Sequence, residues 1–224
     1  MKPMTFKAVI FDLDGTLLDT LSDIGNAVNR VLSRHGFPTH AMDAFRRFIG
    51  DGATTLMARA LPETHRDEAT ILACYEAFRE DYGQNWNVHT CPYDGIAGLL
   101  DFICEQGIRL SVLSNKPHDM TVKCVDALLG SWPFEIVFGH RPEVPKKPDP
   151  AGALEIAERM GVSPSDCMFV GDSGIDMITA RLAGMQAAGA CWGFRPKEEL
   201  AENGADLLLR HPSDLTALLR NKKV

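Results

Sequence analysis

The period of the apolar residues changes along the chain. Ala8-Val9-Ile10-Phe11 is an unbroken apolar run, of a length that suits a strand buried on both faces. From Leu21 the period becomes helical: Leu21, Ile24, Val28, Val31 and Leu32 share a face, and the segment stops at Gly36 with Pro38 beyond. Further helices are predicted over 41–48, 54–60 and 64–82, the last with Ile71, Leu72, Tyr75, Phe78 and Arg79 in register. No strand is predicted between 17 and 87. After Pro92 the chain alternates: helix 94–106, strand 108–113, helix 117–129, strand 135–138, helix 150–160, strand 167–170, helix 176–183, strands 186–190 and 206–209, and a last helix over 213–219. Such alternation implies right-handed crossovers and a parallel sheet covered on both sides. The first strand therefore belongs with the later half. The expected fold is α/β, a Rossmann-like parallel sheet core with helices on both faces, made of 1–16 and 90–224. An all-helical cap, 17–89, is inserted after the first strand.

Composition narrows the partners. A formal net charge of −7 and the lack of a long basic run argue against nucleic acid. A small anionic ligand would have to be attracted locally. No stretch approaches the length of a membrane span, and the few residues before Ala8 do not read as a signal peptide, so the expectation is a cytoplasmic protein with no membrane partner. Cys74, Cys91, Cys104, Cys124, Cys167 and Cys191 show no Cys-x-x-Cys spacing, which points to reduced, mostly core thiols and to neither zinc nor disulfides. A monomer and a homodimer are both compatible with the sequence.

In an open parallel sheet, ligands bind beyond the carboxyl ends of the strands, so the residues just past each predicted strand matter most. The first strand ends in Asp12-Leu13-Asp14-Gly15 and the second in Ser114-Asn115-Lys116. The third is followed by Lys146-Lys147-Pro148-Asp149-Pro150, and the fourth by Gly171-Asp172-Ser173-Gly174-Ile175-Asp176. Asp12 and Asp14, two residues apart, share a side of a continued strand and can converge on one cation or phosphate. Asp-Gly is also a common turn dipeptide, so the first motif alone does not decide. Together, carboxylates, a hydroxyl, an amide and a lysine on one rim describe a metal-assisted phosphate site.

Here the chain resembles the haloacid dehalogenase-like hydrolases over its whole length. Asp-x-Asp-Gly-Thr-Leu-x-Asp-Thr from Asp12, the apolar run ending in Ser114-Asn115, Lys147-Pro148-Asp149-Pro150 and Gly171-Asp172-Ser173-x-x-Asp176 stand in the family's order. The resemblance implies a covalent phosphatase mechanism. Asp12 is the nucleophile and Asp14 the acid and base. Lys147 holds the transferring phosphoryl group and offsets carboxylate repulsion, while Ser114 and the backbone N–H of Asn115 bind the phosphate. Phosphate esters repel anionic nucleophiles, so a hard cation held by oxygen ligands is expected: Mg²⁺, on Asp12, Asp172 and the backbone carbonyl of Asp14. Asp176 is either a third ligand or a group that orients the metal's waters. Lys116 is expected at the surface, and His118 at the surface or as a cap.

The cap should select the substrate. Residues 17–89 contain no lysine, which excludes relatives that form a Schiff base through a cap lysine. The dehalogenases themselves lack a counterpart of Asp14. A histidine expected of phosphomutases is missing after Thr20, where Leu21-Ser22-Asp23-Ile24 follows. By contrast, the Leu18-Asp19-Thr20-x-x-Asp23-Ile24 run, His35-Gly36-Phe37-Pro38, Ile49-Gly50-Asp51-Gly52-Ala53 and Trp192-Gly193-Phe194-Arg195-Pro196 look like the phosphoglycolate phosphatases. The expected reaction is hydrolysis of a small phosphorylated metabolite such as 2-phosphoglycolate. A β-phosphoglucomutase-like phosphomutase and a non-catalytic binding module on the same fold are the alternatives. Arg46, Arg47 and Arg59 are donors available to a substrate carboxylate, but each reads more readily as a solvated helix residue and none is counted as a site residue.

Overall fold

The structure is a computed structural model and describes residues 6–221. Contacts divide the chain into two units, one of residues up to Leu18 with those from Pro92 onward, the other Asp19–Cys91. Each division lies two residues beyond the crossing expected from the sequence.

In the first unit, strands β1 (Ala8–Phe11), β2 (Arg109–Pro117), β3 (Phe134–His140), β4 (Cys167–Gly171), β5 (Gln186–Ala190) and β6 (Leu207–Leu209) form one sheet in the order β3-β2-β1-β4-β5-β6. Every pairing is parallel. The fold is thus the Rossmann-like α/β sheet expected. β1 is buried along its whole length because the pleat sends Ala8 and Ile10 to one face and Val9 and Phe11 to the other. Ala8 and Ile10 join Leu113, Phe169 and Ala187 in a core packed by Ala153, Ile156, Met177, Ala180 and Leu200. The strand order reverses between β1 and β4, which opens a crevice at their carboxyl ends. Five helices of this unit lie near their predicted positions: Ile96–Glu105, His118–Leu129, Ala151–Arg159, Gly174–Leu182 and Pro212–Asn221.

Three features of this unit depart from expectation. β2 does not stop at Leu113 but runs through Ser114-Asn115-Lys116 to Pro117, still beside β3, with a register irregularity between Leu113 and Pro117. Polar residues ended the predicted strand early, although parallel pairing continues. A short helix, Lys197–Glu202, was not anticipated; it buries only Leu200, too little for a periodic signal. Lys116 is buried rather than exposed.

The second unit is built from helices Leu21–Arg34, Phe45–Phe48, Ala53–Ala60 and Glu68–Asn85, with single turns of 3₁₀ helix at Met42–Ala44 and Glu63–His65. Leu18–Asp19 is a two-residue strand inside the segment expected to be wholly helical. The long helix begins later than predicted because Asp67 caps it, accepting the Thr70 N–H at 3.0 Å. Its buried stripe is Cys74, Phe78 and Tyr82, four residues apart. Of the five residues read as its apolar face only Phe78 is buried, while Leu72 and Arg79 are exposed. All six cysteines are free thiols, three of them buried. Among the described residues no helix is long and apolar enough to cross a membrane.

One polar contact organises the second unit. Asp23, in the first turn of Leu21–Arg34, is 2% exposed and its Oδ2 accepts the N–H of His89 at 2.9 Å, the N–H of Thr90 at 2.8 Å and the Thr90 hydroxyl at 2.8 Å. The residues that open and close this unit are thereby joined. Removing the acceptor leaves buried donors unpaired, so Asp23→Ala should lower stability by about 2 kcal/mol, read by urea denaturation. No loss of stability would mean that the three donors find other acceptors.

Candidate active site

The strand ends bring the predicted residues together. Asp12 continues β1, and its N–H donates to Val170 O on β4 at 2.9 Å, so the first carboxylate is fixed to the strand that delivers Asp172. The chain then turns at Gly15, whose φ of 89° is reserved in practice for glycine and which lies directly against the Asp172 carboxylate. A side chain at 15 would occupy the position of that carboxylate. Thr16, which the sequence did not single out as a site residue, donates its hydroxyl to Asp172 Oδ1 at 3.2 Å. The N–H of Phe194 donates to Asp172 Oδ2 at 2.7 Å, and the indole N–H of Trp192 to Thr16 O at 2.9 Å. The loop after β5 therefore clamps both the turn and the carboxylate.

Lys147 stands between two acids, its Nζ donating to Asp12 Oδ1 at 2.8 Å and to Asp176 Oδ1 at 2.7 Å. Asp176 lies three residues into its helix, where its Oδ2 accepts the N–H of Ser173 at 3.0 Å and the Ser173 hydroxyl at 2.6 Å. The negative charge complements the helix N-terminus. Asn115 serves Lys147 rather than solvent: its Oδ1 accepts the Lys147 N–H at 2.9 Å and its Nδ2 donates to Lys147 O at 3.0 Å. Ser114, 4% exposed, sits on the neighbouring strand.

A second lysine completes the set. Lys116 Nζ donates to Asp14 Oδ1 at 2.9 Å and Oδ2 at 3.2 Å, so each of the two motif-one aspartates has its own cation. The signal that would have found Lys116 is strand periodicity: with β2 continued to Pro117, Lys116 alternates onto the side of Ser114. The contacts of Thr16 and Phe194 had no local signal, since their partner lies 156 and 22 residues away. His118 is half-buried, its Nδ1 accepting the Gly139 N–H at 3.2 Å.

Charge at this rim is out of balance. Asp12, Asp14, Asp172 and Asp176 face two ammonium groups, Lys116 and Lys147. Burial pushes the Asp12 carboxyl up to about 7, against the pull of Lys147 and helped by the nearby Asp176. Asp172 is likewise pushed well above the usual carboxylate range, by burial first and then by Asp12 and Asp176. Burial on its own would lower the Lys147 ammonium, but Asp12 and Asp176 outweigh it and hold it above the ordinary lysine range. One oxygen from each of Asp12, Asp172 and Asp176 lies within 4.8 Å of the others. Buried, oxygen-only and short of positive charge, the donor set fits a hard divalent cation and not a soft one.

The profile of the haloacid dehalogenase-like hydrolases matches residues 9–190, which include Asp12, Asp14, Ser114, Asn115, Lys116, Lys147, Asp172 and Asp176. The chain belongs to this family. A phosphoglycolate phosphatase of Aquifex aeolicus is 33% identical over 96% of this chain and 97% of its own length. One of Pseudomonas putida is 32% identical over 95% and 78%. The crystal structure of a predicted phosphoglycolate phosphatase from Haemophilus somnus superposes with a TM-score of 0.88 at 26% identity, covering 95% of this chain and 97% of that one. The family member is a phosphatase.

The raised Asp12 carboxyl makes a signed prediction for the metal-free protein. A carboxyl near 7 when folded and about 4 when unfolded costs nothing below pH 4, and the cost grows until it is complete above pH 7. Asp12→Asn removes that cost. In EDTA its melting temperature should gain on the wild type as pH rises from 4 to 8, measured by calorimetry. A gap independent of pH would contradict the assigned direction.

Proposed function

We propose that the protein hydrolyses 2-phosphoglycolate to glycolate and phosphate through an aspartyl phosphate on Asp12, with Mg²⁺ as cofactor. The observation that carries this reading is the convergence of the Asp12, Asp172 and Asp176 carboxylates around Lys147, beside an Asp14 held by a separate lysine. The substrate is carried over from the relatives that span nearly the whole chain, which are named phosphoglycolate phosphatases, and from the lysine-free stretch 17–89.

In this reading the Asp12 carboxylate attacks phosphorus while the bond from phosphorus to the ester oxygen breaks. Asp14 gives its proton to the departing glycolate oxygen. Asp14 then takes a proton from the water that attacks the aspartyl phosphate, and Asp12 is released with inorganic phosphate. Lys147 holds the phosphoryl oxygens, joined by the hydroxyl of Ser114 and the backbone N–H of Asn115. Asp12, Asp172 and the Asp14 carbonyl would hold Mg²⁺, which would supply the positive charge that lets an anion approach a phosphate dianion. Asp176 orients Lys147 and would orient waters on the metal.

Phosphate release should be measured over a panel of phosphorylated metabolites with Mg²⁺ and with EDTA. Turnover of 2-phosphoglycolate with Mg²⁺, lost in EDTA, is expected. Formation of a sugar-phosphate isomer without free phosphate would indicate a mutase, and binding without turnover a non-catalytic module. Asp12→Asn should stay folded and lose at least about a thousandfold in rate; full activity would end the covalent mechanism. Asp14→Asn should lose about 10²–10⁴ on an alkyl phosphate and much less on p-nitrophenyl phosphate, whose leaving group needs no proton. Equal losses on both would remove Asp14 from the acid role.

A further inference from the structure

Lys116 has no place in the phosphoryl-transfer scheme above, yet it is 7% exposed and its ammonium is at the site. Its backbone is locked: the N–H donates to Ser114 Oγ at 3.3 Å, and the carbonyl accepts the Thr121 hydroxyl at 3.2 Å. A Cβ at Gly139 would meet that carbonyl at 2.6 Å, so the neighbouring strand passes directly against it. The ammonium is thus carried on a fixed stretch of backbone, and its side chain is 4% exposed. Burying an ammonium in this way costs free energy that a merely structural position would not need, since a methionine fills the same space.

The position of the ammonium suggests a use. Lys116 Nζ lies 2.9 Å from the carboxylate of Asp14, the group that in the reading above touches the ester oxygen. A substrate carboxylate one methylene from that oxygen must come to rest close to whatever touches the oxygen. The rim already holds four acidic side chains, so a further carboxylate would be repelled unless a cation met it. Lys147, between Asp12 and Asp176, is taken up by the phosphoryl group in the reading above. Arg59, in the other unit, is paired with Asp51 and donates to Phe48 O at 3.2 Å.

We propose that Lys116 is a specificity residue: it holds Asp14 in the free enzyme and binds the carboxylate of a substrate that carries one on the carbon next to the ester oxygen. On binding, the substrate carboxylate takes over the ammonium and Asp14 turns to the ester oxygen. The site is thereby selective for phosphorylated 2-hydroxy acids over phosphates of neutral alcohols. The inference rests on the phosphatase reading of Asp14 but not on phosphoglycolate being the physiological substrate.

Two measurements test it. Turnover of p-nitrophenyl phosphate by the wild type should be inhibited by glycolate at least about tenfold more strongly than by neutral glycolamide. In Lys116→Met that difference should vanish, and in Lys116→Arg it should largely return. On substrates, kcat/KM for phosphoglycolate relative to its neutral amide should fall about 100-fold in Lys116→Met. A purely structural lysine would lower both substrates together and leave the ratio intact, which would overturn the proposal. So would a wild type that does not distinguish glycolate from glycolamide, a result that needs no variant to fold. If glycolate is distinguished through Lys116 but phosphoglycolate is not turned over, the substrate assignment fails and the role of Lys116 stands.

Discussion

The structure of the site depends on one buried ammonium. Lys147 touches Asp12 and Asp176 at hydrogen-bonding distance, and without it two carboxylates from different strand ends would share a dry crevice with nothing between them. Removing one partner of such a buried pair is costly because the remaining charge is left uncompensated, about 3–5 kcal/mol in general. The lysine is itself positioned from a third direction, by the amide of Asn115 gripping its backbone. Asp12, Asn115 and Asp176, from three elements of the core, therefore meet at one lysine. Even so, Asp12 and Asp172 are pushed up by burial, so Lys147 only partly offsets the negative charge, and the deficit is what makes the site receptive to a divalent cation.

The sheet explains why these groups meet. Its order reverses between β1 and β4, so the chain leaves those adjacent strands in opposite directions and their ends stay open. Asp12 and Asp172 occupy that opening, each one residue past its strand. Close approach there requires glycine at 15 and 193, since a side chain at either position would collide with Asp172. The loop that carries Gly193 adds the Phe194 N–H to Asp172, so orientation of one carboxylate is divided among a turn after β1, a hydroxyl and a backbone amide after β5.

Much of this was legible in the sequence because the chemistry follows directly after apolar runs. A buried parallel strand has a clear end, and Asp12, Asp14, Lys147, Asp172 and Asp176 stand just past such ends or close beyond them. What could not be read has a common physical cause: partners distant in sequence or strands that continue under polar residues. Ser114-Asn115-Lys116 looks like a loop when judged by hydropathy, but its neighbour β3 keeps it extended, and the error turned a buried lysine into a presumed surface one. The stripe of the Glu68–Asn85 helix was misassigned for a related reason. Cys74 and Tyr82 pack inside while the more hydrophobic Leu72 faces out, so burial there is decided by the neighbouring helices and not by residue type.

In the proposed mechanism the two lysines divide the rim into ends with different duties. Lys147 sits with the nucleophile and the metal-facing carboxylates, where charge changes on phosphorus. Lys116 sits with Asp14, where charge develops on the departing oxygen. Each carboxylate has its own ammonium, Asp12 that of Lys147 and Asp14 that of Lys116. If Lys116 acts as proposed, preference for a carboxylate on the leaving group is set by a residue of β2 and so by the sheet itself.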